Sequence, residues 1–339
     1  MDAALLLAVD VAERLADGAD RGDALAPATF ARRLDVLATL AAADVTVARI
    51  AEPHLDALAI LAELGEPLDL GPLGVTPRST WGVFAAESSD VRLDAGWVDG
   101  AWLLSGTKPW CSLAGTLTHA LITAHTEDGR RLFAVSLRHP GVSVDTSLWV
   151  ARGFPTVPSG PAEFDDCPAV PVGEPGWYLR RPGFAAGGIG VAACWFGGAV
   201  GLVRHLHAAS NGASVDPLSD LHLGRAGIAL HAARSALAEA ARAIDGAGTA
   251  AAFTPARAAL LAQLTRSVVR GSCETVLRET AHGLGPGPLT RDRAFAARVA
   301  DLDLYLRQDH GERDEARAGR LLADERFDDG WFAERISTW

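Results

Sequence analysis

No cysteine in this chain lies at metal-ligand spacing from another. Cys111, Cys167, Cys194 and Cys273 are far apart, which argues against a zinc site or a disulfide framework, and no metal is expected. Lys and Arg form no basic arm, and the formal net charge is −11. That balance argues against a general affinity for nucleic-acid backbones, which rests on clustered cations displacing counterions. The first residues, MDAALLLAVDVAERL, carry Asp2, Asp10 and Glu13 and lack the basic start of a signal peptide, so a cytoplasmic protein is expected. The longest apolar run, Ile189 to Val203, is interrupted by glycines and falls short of the roughly 20 residues that span a bilayer. It reads as a buried helix, and no membrane partner is expected. Also missing are G-x-S-x-G, a phosphate loop and H-E-x-x-H. Gly187-Gly188-Ile189-Gly190 lacks the strand–turn–helix setting of a dinucleotide fingerprint.

What the chain does have is the composition of a folded globular protein, 49% hydrophobic and 22% charged. Three textures follow one another. From Ala4 to about Gly65 the spacing of Leu34, Leu37, Leu40 and Val47, then Leu55, Leu58, Leu61 and Leu64, predicts two or three helices. Pro67, Gly71, Pro72, Gly74 and Pro77 end this region, giving an N-terminal helical domain over 1–78. Short β-branched or alternating runs with turns at Asp99-Gly100 and Asp128-Gly129 predict a β domain over 79–180. Long runs rich in Ala, with Pro255 well placed at a helix start, predict a helical bundle over 181–339.

The middle region carries more specific signals. Ser89-Asp90 ends a turn, a strand follows, and Gly106, Lys108 and Trp110 form G-x-K-x-W with Ser112 in the next turn. Phe164 to Pro171 reads F-D-D-C-x-x-V-P. With helices, barrel and bundle in this order, these motifs resemble the acyl-CoA dehydrogenase superfamily, over roughly residues 30 to 315. The resemblance implies an α+β fold of N-terminal helices, central β-barrel and C-terminal bundle. It also implies an FAD cofactor, a small-molecule substrate and a homodimer or homotetramer that completes the flavin site across subunits. By the same resemblance Phe84, Ala85, Ser89, Trp110, Cys111 and Ser112 would line the flavin, with Gln308 near it. Read without the family, Trp110 suits a barrel core equally well, and Ser89-Asp90 suits a plain turn.

Two departures bear on function. The family's catalytic glutamate lies in a turn late in the bundle or early in its first helix, and those places here hold Arg307-Gln308-Asp309 and Gly187-Gly188. The diphosphate motif is reduced to Gly224-Arg225, which leaves Arg225 as its candidate. In FAARVADLDLYLRQDHGERD, helical spacing puts Phe295, Val299, Leu302 and Leu306 on one face and continues it to Asp309, His310 and Arg313. The plain reading makes Asp303–Arg307 and Asp309–Arg313 i,i+4 ion pairs. The functional reading makes Asp309 and His310 a titrating pair beside Arg307, which would bind an anion or stabilise reduced flavin. His54 reads as an ordinary helix histidine, and His119 and His125 as barrel-end residues. The expectation is therefore a flavin-dependent oxidoreductase whose substrate need not be a simple acyl-CoA. The alternatives are a flavin-dependent monooxygenase of the same fold and a non-catalytic subunit that pairs with a complete relative.

Overall fold

The computed structural model describes residues 3, 5–7, 9–11, 29–65, 67–211, 217–246 and 254–324. The expected N-terminal helices fall partly outside the described residues, at 12–28. Helix α1, Phe30–Ala43, starts where the Thr29 side chain accepts from Arg32 N. Asp44 separates it from α2, Val45–Glu63: its backbone is extended, and its Oδ1 accepts from Thr46 N at 2.8 Å and Val47 N at 3.2 Å.

Seven strands follow: β1 Trp81–Phe84, β2 Leu93–Val98, β3 Ala101–Lys108, β4 His119–Thr126, β5 Gly129–Ser136, β6 Val142–Val144 and β7 Ala162–Val172. The two Asp-Gly turns make the β2–β3 and β4–β5 hairpins, and Asp99 and Gly100 both take the positive φ that such tight turns need. The barrel closes in the order β4, β2, β3, β7, β5 and back to β4. One edge of β4 is shared: β1 runs parallel to His119–Ile122, and β2 reaches only His125. Residues 85–92 cross between those two pairings at the barrel's edge. The F-D-D-C-x-x-V-P segment lies within one strand, β7, with a register shift opposite Leu104–Gly106.

A short helix α3, Trp177–Arg180, leads into α4 Gly183–Ser210, α5 Pro217–Asp245, α6 Pro255–Leu284, α7 Pro286–Arg291, α8 Arg293–Leu306 and α9 Glu312–Asp324. At 28 residues, α4 is longer than its apolar run suggested, and it is long and apolar enough to cross a membrane by length and composition. Of its most apolar window, 67% is buried inside the protein. Gly197 lies so close to the Ala38 carbonyl of α1 that a Cβ there would collide with it. Small residues thus let α4 run through the centre of the bundle. The main core joins α1, α4, α6 and α8 to the barrel interior.

Candidate active site

Two chambers open between the barrel and the helices, one of about 950 Å³ and one of about 480 Å³. Arg49 and Pro53 of α2 and Gln308 and His310 after α8 line both. The larger lies against β1 and the turn after β3. Its walls include Phe84, Ala85, Trp110 and Ser112, four of the six barrel residues expected at a flavin. Trp110 has φ 60° and is 61% exposed, so its ring stands out of the barrel. Ser112 Oγ accepts from Arg49 Nη2 at 2.8 Å and lies 2.7 Å from Ser159 Oγ, which ties the turn to α2. Tyr305 closes the opposite wall, held edge-on by Phe154 and Trp195, with the Arg49 guanidinium 5.6 Å from its ring centre.

The other two barrel residues lie elsewhere. Cys111 is fully buried in the barrel core, where its thiol donates to Lys108 O and its N–H to Gly160 O, so neither group faces the chamber. Ser89 is exposed and outside the lining of both chambers, its hydroxyl spent on Asp90 Oδ1 at 2.8 Å. The Ala85 carbonyl is likewise engaged, accepting from Arg130. Beneath residues 85–92 lies Lys108, the chain's only lysine, with Nζ 2.6 Å from Glu87 Oε1 and 2.9 Å from Thr123 Oγ1. Burial works upward on the Glu87 carboxyl, but hydrogen bonds from Lys108 and His125 and the charges of Lys108 and Arg130 outweigh it and hold its pKa low. This cluster pins the start of the crossing segment to the barrel.

The late-bundle constellation is arranged differently from its helical reading. Helix α8 stops at Leu306, and Gly311, with φ 57°, turns the chain into α9, so the apolar stripe does not continue to Asp309 and Arg313. Asp309 is buried with Oδ1 3.1 Å from Arg270 Nε, without the alignment of a hydrogen bond, and Oδ2 3.6 Å from Arg266 Nη2. It also accepts from Gly311 N at 3.0 Å. Asp309 therefore anchors the turn. It forms no pair with His310, which is 3.4 Å from Asp314 instead, nor with Arg313. Arg307 lines the rim of the larger chamber, half-exposed, 3.1 Å from Glu274 and 3.8 Å from Asp303. Gln308 and His310 project where the two chambers meet. Arg225 lies on the outer face of α5 and α6, 3.7 Å from Glu279, outside the lining of both chambers.

Several residues of the site gave no signal in the sequence. The smaller chamber is bounded by α2, α3, the start of α4 and α6, and contains Glu52, Asp56, Gly187, Gly188 and Arg266. Asp56 lies 3.5 Å from Arg33 and 3.9 Å from Arg181. Burial pushes its pKa up, against the pull of both arginines. Arg266 donates to Gly188 O at 2.8 Å and stacks 4.6 Å from the Trp195 ring centre. Glu52, 7% exposed, makes no hydrogen bond or salt bridge among the described residues. Burial first, then the Asp56 charge, push its pKa up to about 7. His54 faces the other way: it is buried and accepts from Trp81 N at 3.3 Å, and burial lowers its pKa to about 4. His119 is also a core residue, 3.0 Å from Leu73 O.

No protein-family profile and no curated protein sequence matches the chain. Solved structures match nearly all of it. KijD3 in complex with FMN and dTDP-3-amino-2,3,6-trideoxy-4-keto-3-methyl-D-glucose has a TM-score of 0.76 at 19% identity, over 96% of this chain and 95% of that one. TdsC from Paenibacillus sp. A11-2, with FMN and indole, has a TM-score of 0.77 at 17% identity, over 95% and 97%. Glutaryl-CoA dehydrogenase from Mycobacterium smegmatis has a TM-score of 0.77 at 17% identity, over 95% and 87%. The chain has the acyl-CoA dehydrogenase fold.

Proposed function

We propose that this protein is a flavin-dependent oxidoreductase and, within that class, a monooxygenase that uses reduced FMN and dioxygen on a small molecule. The observation that carries the reading is the pair of chambers meeting at Gln308 and His310, where the turn after α8 offers an amide and an imidazole. α,β-Dehydrogenation of a thioester needs a carboxylate base, which that turn does not present. Two structures of the same fold, KijD3 and TdsC, hold FMN, and TdsC is a dibenzothiophene monooxygenase.

The residues of the larger chamber fit a flavin. Trp110 and Tyr305 present aromatic surface at its walls, and Ser112 and Arg49 offer polar groups to a heteroaromatic rim. When bound and reduced, the flavin supplies the two electrons that, with two protons, divide dioxygen between a hydroxylated product and water. The protein's share is to hold the ring, exclude water and place proton carriers. His310 can hold or release a proton at the junction, and Arg49, fixed on Ser112, keeps a positive charge beside the ring. FMN is favoured over FAD because KijD3 and TdsC, of the same fold, hold FMN. The exposed Ile228 and Val268 beside Arg225 support a homodimer or homotetramer joined on that face.

The test is a titration of the purified protein with FMN and FAD, followed by oxygen uptake with reduced FMN over a panel of small aromatic and amino compounds. We expect FMN to bind, oxygen to be consumed, and acyl-CoA thioesters to leave the bound flavin unbleached under anaerobic conditions. His310→Ala should lower product yield per oxygen consumed with little change in FMN affinity. A protein that binds neither flavin would overturn the enzyme reading in favour of a non-catalytic subunit.

A further inference from the structure

The start of α4 is where a family glutamate is missing, and carboxylates reach the same place from another helix. A Cβ on Gly187 would lie 2.9 Å from Asp56 Oδ1, so this glycine leaves room for a carboxylate arriving from α2, while Gly188 faces Arg266. Asp56 is engaged by Arg33 and Arg181. Glu52, one turn earlier on the same helix, lines the same chamber with both carboxylate oxygens unbonded.

The groups around Glu52 come from six helices: Arg33 on α1, Arg49 and Asp56 on α2, Tyr178 on α3, Cys194 on α4, Arg266 on α6 and Tyr305 on α8. Each of the three arginines already serves another partner: Asp56, Ser112 Oγ and Gly188 O respectively. A buried carboxyl with no partner of its own is costly to keep, and such groups concentrate where a ligand or a proton completes them.

We propose that Glu52 is the acid–base residue of the smaller chamber, exchanging a proton with an N–H or O–H group of a substrate bound against Gly187 and Gly188. In the forward step the substrate's N–H or O–H bond breaks and its electron pair stays on that atom. The proton bonds to a Glu52 Oε, no oxidation state changes, and the reverse step returns the proton to product or solvent. The assignment rests on reading the smaller chamber as the substrate side of a flavin site. A pKa near 7 suits the role, because both protonation states are then populated at neutral pH.

The test treats the intact protein with N,N′-dicyclohexylcarbodiimide, which adds to protonated carboxyls in apolar surroundings, at pH about 6 and about 9, on either side of that pKa. Peptide mass mapping should find the adduct on Glu52, at least tenfold more at the lower pH, and none on Glu63, which is paired with Arg181. Absence of the adduct at both pH values, or labelling independent of pH, overturns the proposal. The second measurement is the pH profile of oxygen uptake with reduced FMN. Glu52→Gln should remove a limb near neutrality, and Glu52→Asp should restore part of the rate. An unchanged profile in Glu52→Gln also overturns it. Oxygen uptake absent even from the wild type counts against the flavin reading, and the labelling still decides the state of Glu52.

Discussion

The two chambers share nine lining residues yet are built from different chemistry. The larger one is walled by aromatic rings and hydroxyls, and the charge beside it is neutralised locally, as in the Lys108–Glu87 pair. The smaller one is walled by helices whose charged groups point inward: Asp56 is met by two arginines, and Glu52 is left over. A barrel turn can present a ring and backbone groups without burying a charge. A helix contributes side chains alone, so polar chemistry between helices must be assembled from ionisable groups that balance one another. The larger chamber is thus suited to holding a flat, mostly neutral group, and the smaller one to moving protons.

The strongest test of this division acts where the chambers meet. Asp309 neutralises Arg266 and Arg270 beneath the turn that carries Gln308 and His310. Asp309→Ala should destabilise the protein by about 3 kcal/mol, because it leaves the largely buried Arg266 guanidinium without its carboxylate, while Arg270 keeps Glu274 and Glu315. Chemical denaturation would measure this. A loss below about 1 kcal/mol would mean that the pair behaves as a surface one and that the turn is held some other way.

A smaller effect, of defined sign, comes from two neighbours on α2. The Glu52 pKa is raised from 4.5 to about 7 on folding, so its protonated form favours the native state. That contribution is full below pH 4.5 and is lost as pH rises to 7. The His54 pKa falls from 6.5 to about 4, so its contribution is full above pH 6.5 and is lost as pH falls to 4. Each is worth on the order of 3 kcal/mol over its window, and the two oppose each other. The two contributions should therefore largely cancel between pH 4.5 and 6.5, where their windows overlap. Glu52→Gln should be stabilised relative to the wild type above pH 7 and should show a steeper acid loss, because the His54 contribution is no longer opposed by Glu52. A parallel shift of the whole curve would mean that Glu52 titrates like an exposed carboxylate.

The sequence was legible wherever function sits on local pattern. Gly106, Lys108 and Trp110 stand in one strand and its following turn, and the family resemblance they carry singled out Trp110, which lines the larger chamber. The two Asp-Gly hairpins were readable for the same reason. The late-bundle stripe was misread because helical periodicity extends through any stretch of suitable residues, and nothing in Gln308-Asp309-His310 outweighs it until Gly311 breaks the turn. Cys111 was misassigned because adjacent turn residues point in opposite directions, one out to the chamber and one into the barrel. The smaller chamber was hidden because its members pair over long separations: Asp56 with Arg181, Arg266 with Asp309. One local signal was available. Pro53 sits inside α2 with Arg49, Glu52 and Asp56 around it, and proline with charges on a helix's buried stripe is unfavourable unless a site requires it.

The smallest effect probes the barrel side alone. Trp110 is largely exposed, so Trp110→Ala should leave the melting temperature nearly unchanged. It should weaken FMN binding about tenfold, the size expected for one lost aromatic contact of roughly 1.4 kcal/mol. Fluorescence titration of FMN measures this directly. If the chambers divide the work as their walls suggest, the same variant should keep the carbodiimide labelling of Glu52 and its pH dependence. If labelling falls together with FMN affinity, the two chambers respond as one through Arg49, which touches Ser112 on the barrel side and faces Glu52 on the other. The flavin ring and the proton-carrying carboxyl would then be parts of a single site.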